Sequence, residues 1–118
     1  MGLDSFWMKK TDNGDFDVLE MSFEPELKVC GGLFSANGNG SFRGKAYADL
    51  IETVTGVSLY QDEISNETVR EMSARMQEAE IPGDELLHEW NTMPEEWEDI
   101  KRMFKAYSEA GAILHGWW

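Results

Sequence analysis

The stretch "CGGLFSANGNGSFRGKAYADL", residues 30–50, combines the residue types best suited to anion binding. It holds five of the chain's eleven glycines, and two bases, Arg43 and Lys45, lie where the turn meets a helix-like pattern. A glycine turn exposes backbone N–H groups, and a helix N-terminus adds its dipole, so together they favour a phosphate-like ligand. The sequence therefore predicts a ligand or partner site at Cys30, Gly31, Gly32, Asn37, Gly38, Asn39, Gly40, Ser41, Arg43 and Lys45.

Known phosphate-binding motifs do not fit this turn. A P-loop would need glycine where Asn39 stands and Ser or Thr where Ala46 stands. The third glycine of a dinucleotide fingerprint would fall at Arg43. The alternative interpretation is structural, since glycines allow positive φ angles in a sharp strand-to-helix turn.

The single cysteine and the two histidines offer a second kind of chemistry. Cys30 with His88 or His115 would supply a nucleophile and a base, but no local signature links them. No pair of the three has zinc-ligand spacing. A buried, unreactive thiol and ordinary packed histidines are the simpler interpretation.

Between Gln77 and Ile100 lie nine acids and no Lys or Arg. One interpretation is a solvated helical face. The other is a docking surface, residues 78–99, for a basic partner, with the protein acting as an acidic inhibitor or a decoy of DNA phosphates. With a net charge of −13, direct binding to nucleic acid is not expected, because phosphates would repel the chain.

The bulk composition limits the cellular setting. At 118 residues the chain is expected to form a single domain, residues 1–118. One cysteine cannot form an internal disulfide, which permits a reducing compartment. The N-terminus lacks the pattern of a signal peptide and no apolar run reaches membrane-span length, so a cytoplasmic protein without membrane partners is expected.

The N-terminal third predicts strands. Residues 5–23 form a hairpin in this interpretation, because aromatic-bearing segments flank Asn13-Gly14, a dipeptide that favours the primed two-residue turn. Glu24-Pro25-Glu26 ends the second arm. The segment "LKVCGGLF", residues 27–34, predicts a third short strand, and "VSLY", residues 57–60, is a further strand candidate.

The rest of the chain predicts helices at apolar spacings of three and four residues. The first covers residues 42–55 and ends at Gly56, and the second begins after Ser65 and is closed by Pro82-Gly83. "DELLHEW", residues 84–90, is a short helix, and a capping box at Thr92–Glu95 opens the last one, which Gly111 closes.

Strands followed by helices predict an α+β fold. We expect a small antiparallel sheet with an N-terminal hairpin and three or so helices packed on one face. Trp117 and Trp118 end the chain, and an exposed pair of indoles would be a solubility liability. We therefore expect them to be packed, against the sheet or across a homodimer interface.

Three stretches resemble parts of small uncharacterised proteins. The opening "MGLDSFW" looks like the "MGLD" start of several phage-encoded proteins, and "GSFRGKAY" with "TGVSLYQ" is similar to stretches in small hypothetical proteins of phage or marine microbial origin. The resemblance implies a phage or environmental context and no activity.

The favoured function is a non-catalytic binding or accessory module that uses the turn at residues 30–45, with a protein partner. One alternative is an enzyme or small-molecule binder that takes a small anionic ligand at the same turn. The other is the acidic inhibitor that acts through residues 78–99. The residues indicate no particular cofactor and no metal.

Overall fold

The computed structural model describes residues 3–29 and 40–118. The elements are, in chain order, β1 (Asp4–Lys10), β2 (Phe16–Val18), β3 (Ser41–Phe42), α1 (Gly44–Thr55), α2 (Asn66–Glu78), α3 (Gly83–Trp90), α4 (Pro94–Glu109) and β4 (Ile113–Trp117). Strands come first and helices follow, with one strand at the end, so the expected α+β class is confirmed.

β1 is the central strand of an antiparallel sheet. Along one side it pairs with β4, from Asp4 opposite Trp117 to Met8 opposite Ile113. Along the other side it pairs with β3 near Phe6 and with β2 from Met8 onward. The last strand of the chain therefore lies beside the first, which is a pairing that local sequence patterns do not reveal.

The N-terminal hairpin of β1 and β2 is confirmed, but its second arm ends at Val18 and not at Glu24-Pro25-Glu26. Its turn also differs from the two-residue primed type. Asn13 does not have a positive φ, whereas Gly14 has a φ of 88°. The Gly14 N–H donates to the Thr11 carbonyl at 3.0 Å, and Thr11 N–H donates to the Asp15 carbonyl at 2.6 Å. The chain thus reverses through a longer turn in which only the glycine adopts left-handed geometry.

Two strand predictions were wrong where the structure can test them. Residues 57–60 contain no strand; instead Ile64, just beyond them, forms an isolated bridge with Leu114 of β4. Leu27–Val29 are not in a strand, and residues 30–34 of that prediction lie outside the described residues. Leu27 and Val29 are nevertheless buried, which explains the apolar pattern.

For the first two helices, the predicted signals at Gly56 and Ser65 are confirmed, whereas the start of α1 and the end of α2 differ from the prediction. α1 starts at Gly44, two residues later than predicted, and ends at Gly56 with a φ of 77°. The Ser65 hydroxyl caps α2 by accepting from the Thr68 N–H at 3.3 Å. α2 ends at Glu78, however, so Pro82-Gly83 does not close it but begins α3.

The capping box of α4 is shifted by one residue from the predicted position. The helix begins at Pro94, and Glu96 Oε1 accepts from the Met93 N–H at 3.2 Å. Thr92 instead donates its hydroxyl to the Trp90 carbonyl at 3.1 Å. Glu96 Oε2 also accepts from the Tyr47 hydroxyl at 2.5 Å, so this carboxylate ties α1 to the start of α4.

The core lies between the helices and one face of the sheet. Trp7 of β1 is fully buried and its ring stacks on Tyr107 of α4 at 4.6 Å between centroids, with Phe104 edge-on at 4.9 Å. Because side chains alternate along a strand, Ser5 and Trp7 face this core and Phe6 and Met8 face away from it. Within residues 3–29 and 40–118, no helix has the length and hydropathy needed to span a membrane.

Candidate functional site

Most of the predicted glycine-turn site lies outside the described residues. Six of its members belong to residues 30–39, and the structure describes the other four, Gly40, Ser41, Arg43 and Lys45. Gly40 and Ser41 are buried, whereas Arg43 and Lys45 are exposed.

Two backbone N–H groups at the start of α1 already donate to backbone carbonyls. The Lys45 N–H donates to the Leu3 carbonyl at 3.0 Å, and the Ala46 N–H donates to the Arg43 carbonyl at 3.1 Å. Arg43 and Lys45 form no ion pair with a described residue. Anion binding by these two side chains stays a prediction, as does the role of the whole turn.

The described end of the turn is anchored from the core. The Tyr107 hydroxyl accepts from the Gly40 N–H at 2.8 Å and from the Met21 N–H at 3.2 Å. Burial raises the pKa of this phenol above its ordinary 10.0, the two N–H donors oppose that shift, and the nearby Glu20 adds to it. Tyr107 is thus a neutral support for the backbone on either side of residues 30–39.

The structure does not bring the two histidines into one site. His88 is exposed in the last turn of α3, and His115 lies on β4. Cys30 lies outside the described residues. In the described ranges no three His, Cys, Asp or Glu side chains are grouped so as to hold a metal ion.

The acidic face, residues 78–99, borders two clefts that share Glu98. The larger, of about 580 Å³, lies between the end of α2 and α4 and includes Trp97 and Lys101. The Trp97 indole N–H is buried without a partner in the described part of the chain, but it is also shielded from solvent, so no ligand in the open cleft reaches it. The smaller cleft, of about 330 Å³, has Asp99 on its wall.

Asp99 illustrates how the acids of this face are used. It is 9 % exposed and accepts from the Lys28 N–H at 2.7 Å and from Arg102 at 2.8 Å. The carboxylate therefore fastens the segment after the hairpin to α4. This contact is structural, and docking of a basic partner on residues 78–99 stays a prediction.

A different surface, absent from the sequence predictions, is the side of the sheet that faces away from the helices. Side chains alternate between the two sides along β1, and residues that are paired across strands project to the same side. The register of β1 with β2 and β4 therefore determines which side chains lie on this surface. We call the aromatic and apolar members of this side the outer face; they are Phe6, Met8, Phe16, Val18, Ile113, His115 and Trp117. The same alternation places Asp4, Lys10 and Ser41 on this side of the sheet.

The outer face is largely apolar, contains a cleft and is partly open to solvent. Phe16, Val18 and Trp117 are 41 %, 40 % and 54 % exposed, whereas Phe6 is only 5 % exposed. The Phe6 ring stacks on His115 at 6.2 Å and contacts Trp117 at 6.4 Å between centroids. A cleft of about 340 Å³ is lined by five members of the outer face, Phe6, Met8, Val18, His115 and Trp117.

The end of the glycine turn meets this surface. Ser41 pairs with Phe6 in the sheet register. A Cβ on Gly40 would lie 2.9 Å from Val18 Cγ1 and 3.0 Å from Glu20 Cγ, so the absence of a side chain lets both residues pack there. The predicted site and the outer face are therefore neighbours at Gly40 and Ser41.

The tryptophans at the end of the chain are packed on one side only. Trp117 contacts Phe6, and Trp118 meets the Tyr60 ring edge-on at 5.7 Å. Both indoles stay about half exposed, at 54 % and 49 %. Neither is a core residue, and a homodimer contact stays a prediction.

Comparisons with protein-family models, with curated proteins and with solved structures found no match for this chain. The resemblance to small phage and marine microbial proteins accordingly stays an expectation.

Proposed function

We propose that this protein is a non-catalytic binding module that recognises a protein partner through the outer face of its sheet. The observation that carries the proposal is the exposure of Phe16, Val18 and Trp117 on one continuous apolar surface. Grouped exposed apolar side chains of this kind on a small protein mark interaction sites more often than single ones do.

The composition of the outer face supports a protein ligand. Its aromatic and Met side chains are of the kinds enriched in protein–protein interfaces. The cleft of about 340 Å³ in the outer face has room for one anchoring side chain of the partner. The neighbouring glycine turn, originally the favoured site, extends the same surface at Gly40 and Ser41.

The test uses a displayed library of random peptides and two matched variants. Val18→Glu places a charge in the outer face, and Ala74→Glu places the same charge on an exposed position of α2. Peptides selected on the wild-type protein should bind Ala74→Glu unchanged and Val18→Glu at least about tenfold more weakly, a loss of about 1.4 kcal/mol. Unfolding curves of both variants establish that they are folded.

If the selected peptides bind Val18→Glu as tightly as the wild type, the outer face is not the binding surface and the proposal fails. Selected peptides that lose affinity for Ala74→Glu instead would move the binding surface to the helical side.

A further inference from the structure

We infer that the natural occupant of the outer face is a single amphipathic helix of a partner protein, with lysine or arginine along the sides of its apolar stripe. The inference rests on the proposed function and adds the shape and charge of the ligand. Three independent observations carry it: the dimensions of the outer face, the pairing of the β4 edge, and the distribution of charge.

The dimensions fit one helix. Across the row Val18–Met8–Ile113 the outer face is three strands wide, and outer strands two spacings apart are about 10 Å from each other. An α-helix with its side chains is about 10–12 Å across. From Asp4 to Lys10 the central strand is about 20 Å long, which a helix of about 14 residues spans.

The helices of residues 3–29 and 40–118 pack on the opposite side of the sheet. The core that joins the sheet to the helices lies on the side of Trp7, where Phe104 and Tyr107 of α4 pack. A helix laid on Met8 and Val18 would cover the second side of the sheet and give a helix–sheet–helix sandwich, a common way to bury both faces.

An extended peptide that adds to the sheet as a strand would find fewer free backbone groups to pair with. Strand addition needs a free sheet edge, but the far edge of β4 is already occupied. Ile64 and Leu114 exchange two hydrogen bonds at 2.8 and 3.0 Å, and the Gly116 N–H donates to the Gln61 carbonyl at 3.1 Å. Strands β2 and β3 on the other side are only three and two residues long.

The charge on the partner follows from the borders of the outer face. Asp4 stands opposite Trp117 in the register, and the Glu20 side chain lies beside Val18. Against these two acids the same side of the sheet carries one base, Lys10, opposite Phe16. The whole chain carries 23 acids and 10 Lys or Arg. A second copy of the chain would bring its own charge of −13 against this one, whereas a helix flanked by Lys or Arg meets complementary potential.

The experiment measures fluorescence anisotropy of labelled synthetic peptides of about 14 residues, the length that matches the outer face. The first carries Leu and Phe at helical i, i+3, i+4, i+7 spacing with Lys on both sides of the stripe. The second has the same composition in scrambled order. The third alternates Leu and Lys as a strand former, so that its charge equals that of the first.

Matched protein variants separate the border acids from total charge. Asp4→Asn with Glu20→Gln removes two negative charges beside the outer face, and Glu71→Gln with Glu78→Gln removes two from exposed positions of α2. We expect the Lys-flanked helix to bind at least about tenfold more tightly than the other two peptides. The affinity should fall for Val18→Glu, and it should fall more for the Asp4/Glu20 variant than for the Glu71/Glu78 variant.

Several results would overturn the inference. Equal binding of the helical and scrambled peptides would show general attraction to an acidic chain, and equal loss in the two double variants would remove the role of the border. Self-association through Val18 at micromolar concentration and low ionic strength, where the charge of −13 on each copy opposes contact, would make a second copy the occupant. Library peptides that need Val18 but lack both a helical stripe and basic residues would refute the helix while leaving the proposed function standing.

Discussion

Tyr107 shows how one side chain organises the region around the outer face. Its ring stacks on Trp7 in the core, and its hydroxyl accepts hydrogen bonds from the backbone of Met21 and Gly40. These two positions lie on either side of residues 30–39 in the chain. A buried phenol therefore fixes both the segment after β2 and the backbone just before β3. These two segments border the outer face near Val18.

We expect Tyr107→Phe to lower the free energy of unfolding by about 1–3 kcal/mol, because the substitution leaves the buried Gly40 N–H without its acceptor. Urea unfolding followed by fluorescence measures the change. Tyr60→Phe is the control, since that ring is exposed and removal of its hydroxyl should change little. Equal stability of the Tyr107 variant and the wild type would contradict the role of the hydroxyl.

The same phenol gives the protein a dependence on alkaline pH. Burial raises the pKa of Tyr107 in the folded chain above 10.0, so between that value and the folded pKa the native state holds a proton that the unfolded chain has lost. The free energy of unfolding must then fall as pH rises above about 10. Tyr107→Phe, compared at each pH by urea unfolding, should show a shallower fall than the wild type, and parallel curves would refute this assignment.

At the scale of elements, the hairpin turn depends on one glycine. Gly14 has a φ of 88° and open space around its α-carbon, the nearest side-chain atom being Lys10 Cε at 3.9 Å. The demand is therefore on the backbone and not on room for a side chain. We expect Gly14→Val to destabilise the protein by about 1–2 kcal/mol, because a β-branched residue resists positive φ.

Gly14→Asn is the matched control, since asparagine accepts left-handed geometry more readily than valine. Thermal unfolding should place Asn between the wild type and Val. If the two variants lose the same stability, side-chain volume and not backbone geometry limits this turn.

The elements also show which parts of the fold are determined by local sequence signals. α2 was predictable because its cap, Ser65, and its apolar spacing are signals within a few residues of each other. β4 was not assigned, because Leu114 and Gly116 differ too little from Ile113 and His115 in polarity to mark two faces. Its identity as a strand comes from pairing with β1, about a hundred residues earlier in the chain.

The outer face was missed for the same reason. Its residues belong to three strands, and they form one surface only after the register of β1 with β2 and β4 is known. The sequence marked Trp117 as unusual, and we expected it to be packed because an exposed indole is a solubility liability. Which side of the ring is covered depends on the register of β4 and could not be predicted. The structure places it at the border of an open cleft with half of its surface in water.

On the scale of the whole molecule, charge and the outer face have opposite effects on self-association. The apolar surface favours contact between copies, whereas the net charge of −13 on each copy opposes it. Added salt shortens the screening length from about 10 Å at 0.1 M to about 3 Å at 1 M and so weakens the repulsion.

We expect sedimentation velocity to show monomers at low ionic strength and increasing self-association as salt is added. Binding of a basic helix should change with salt in the reverse direction, because there the long-range interaction is attractive. Val18→Glu should suppress the salt-induced association and Ala74→Glu should not. Association that is strongest at low salt would show that ionic contacts, and not the outer face, join the copies.

The bridge between Ile64 and Leu114 affects how this protein can aggregate at high concentration. An apolar sheet with a long bare edge is a template on which further chains can pair strand by strand, and such growth is the first step toward fibres. Here the backbone of β4 is engaged by residues 61–64, and the strands at the opposite side are too short to guide a new one. Copies that associate through the outer face would therefore meet sheet against sheet, because the described margins of the sheet offer no long bare edge on which strands could add.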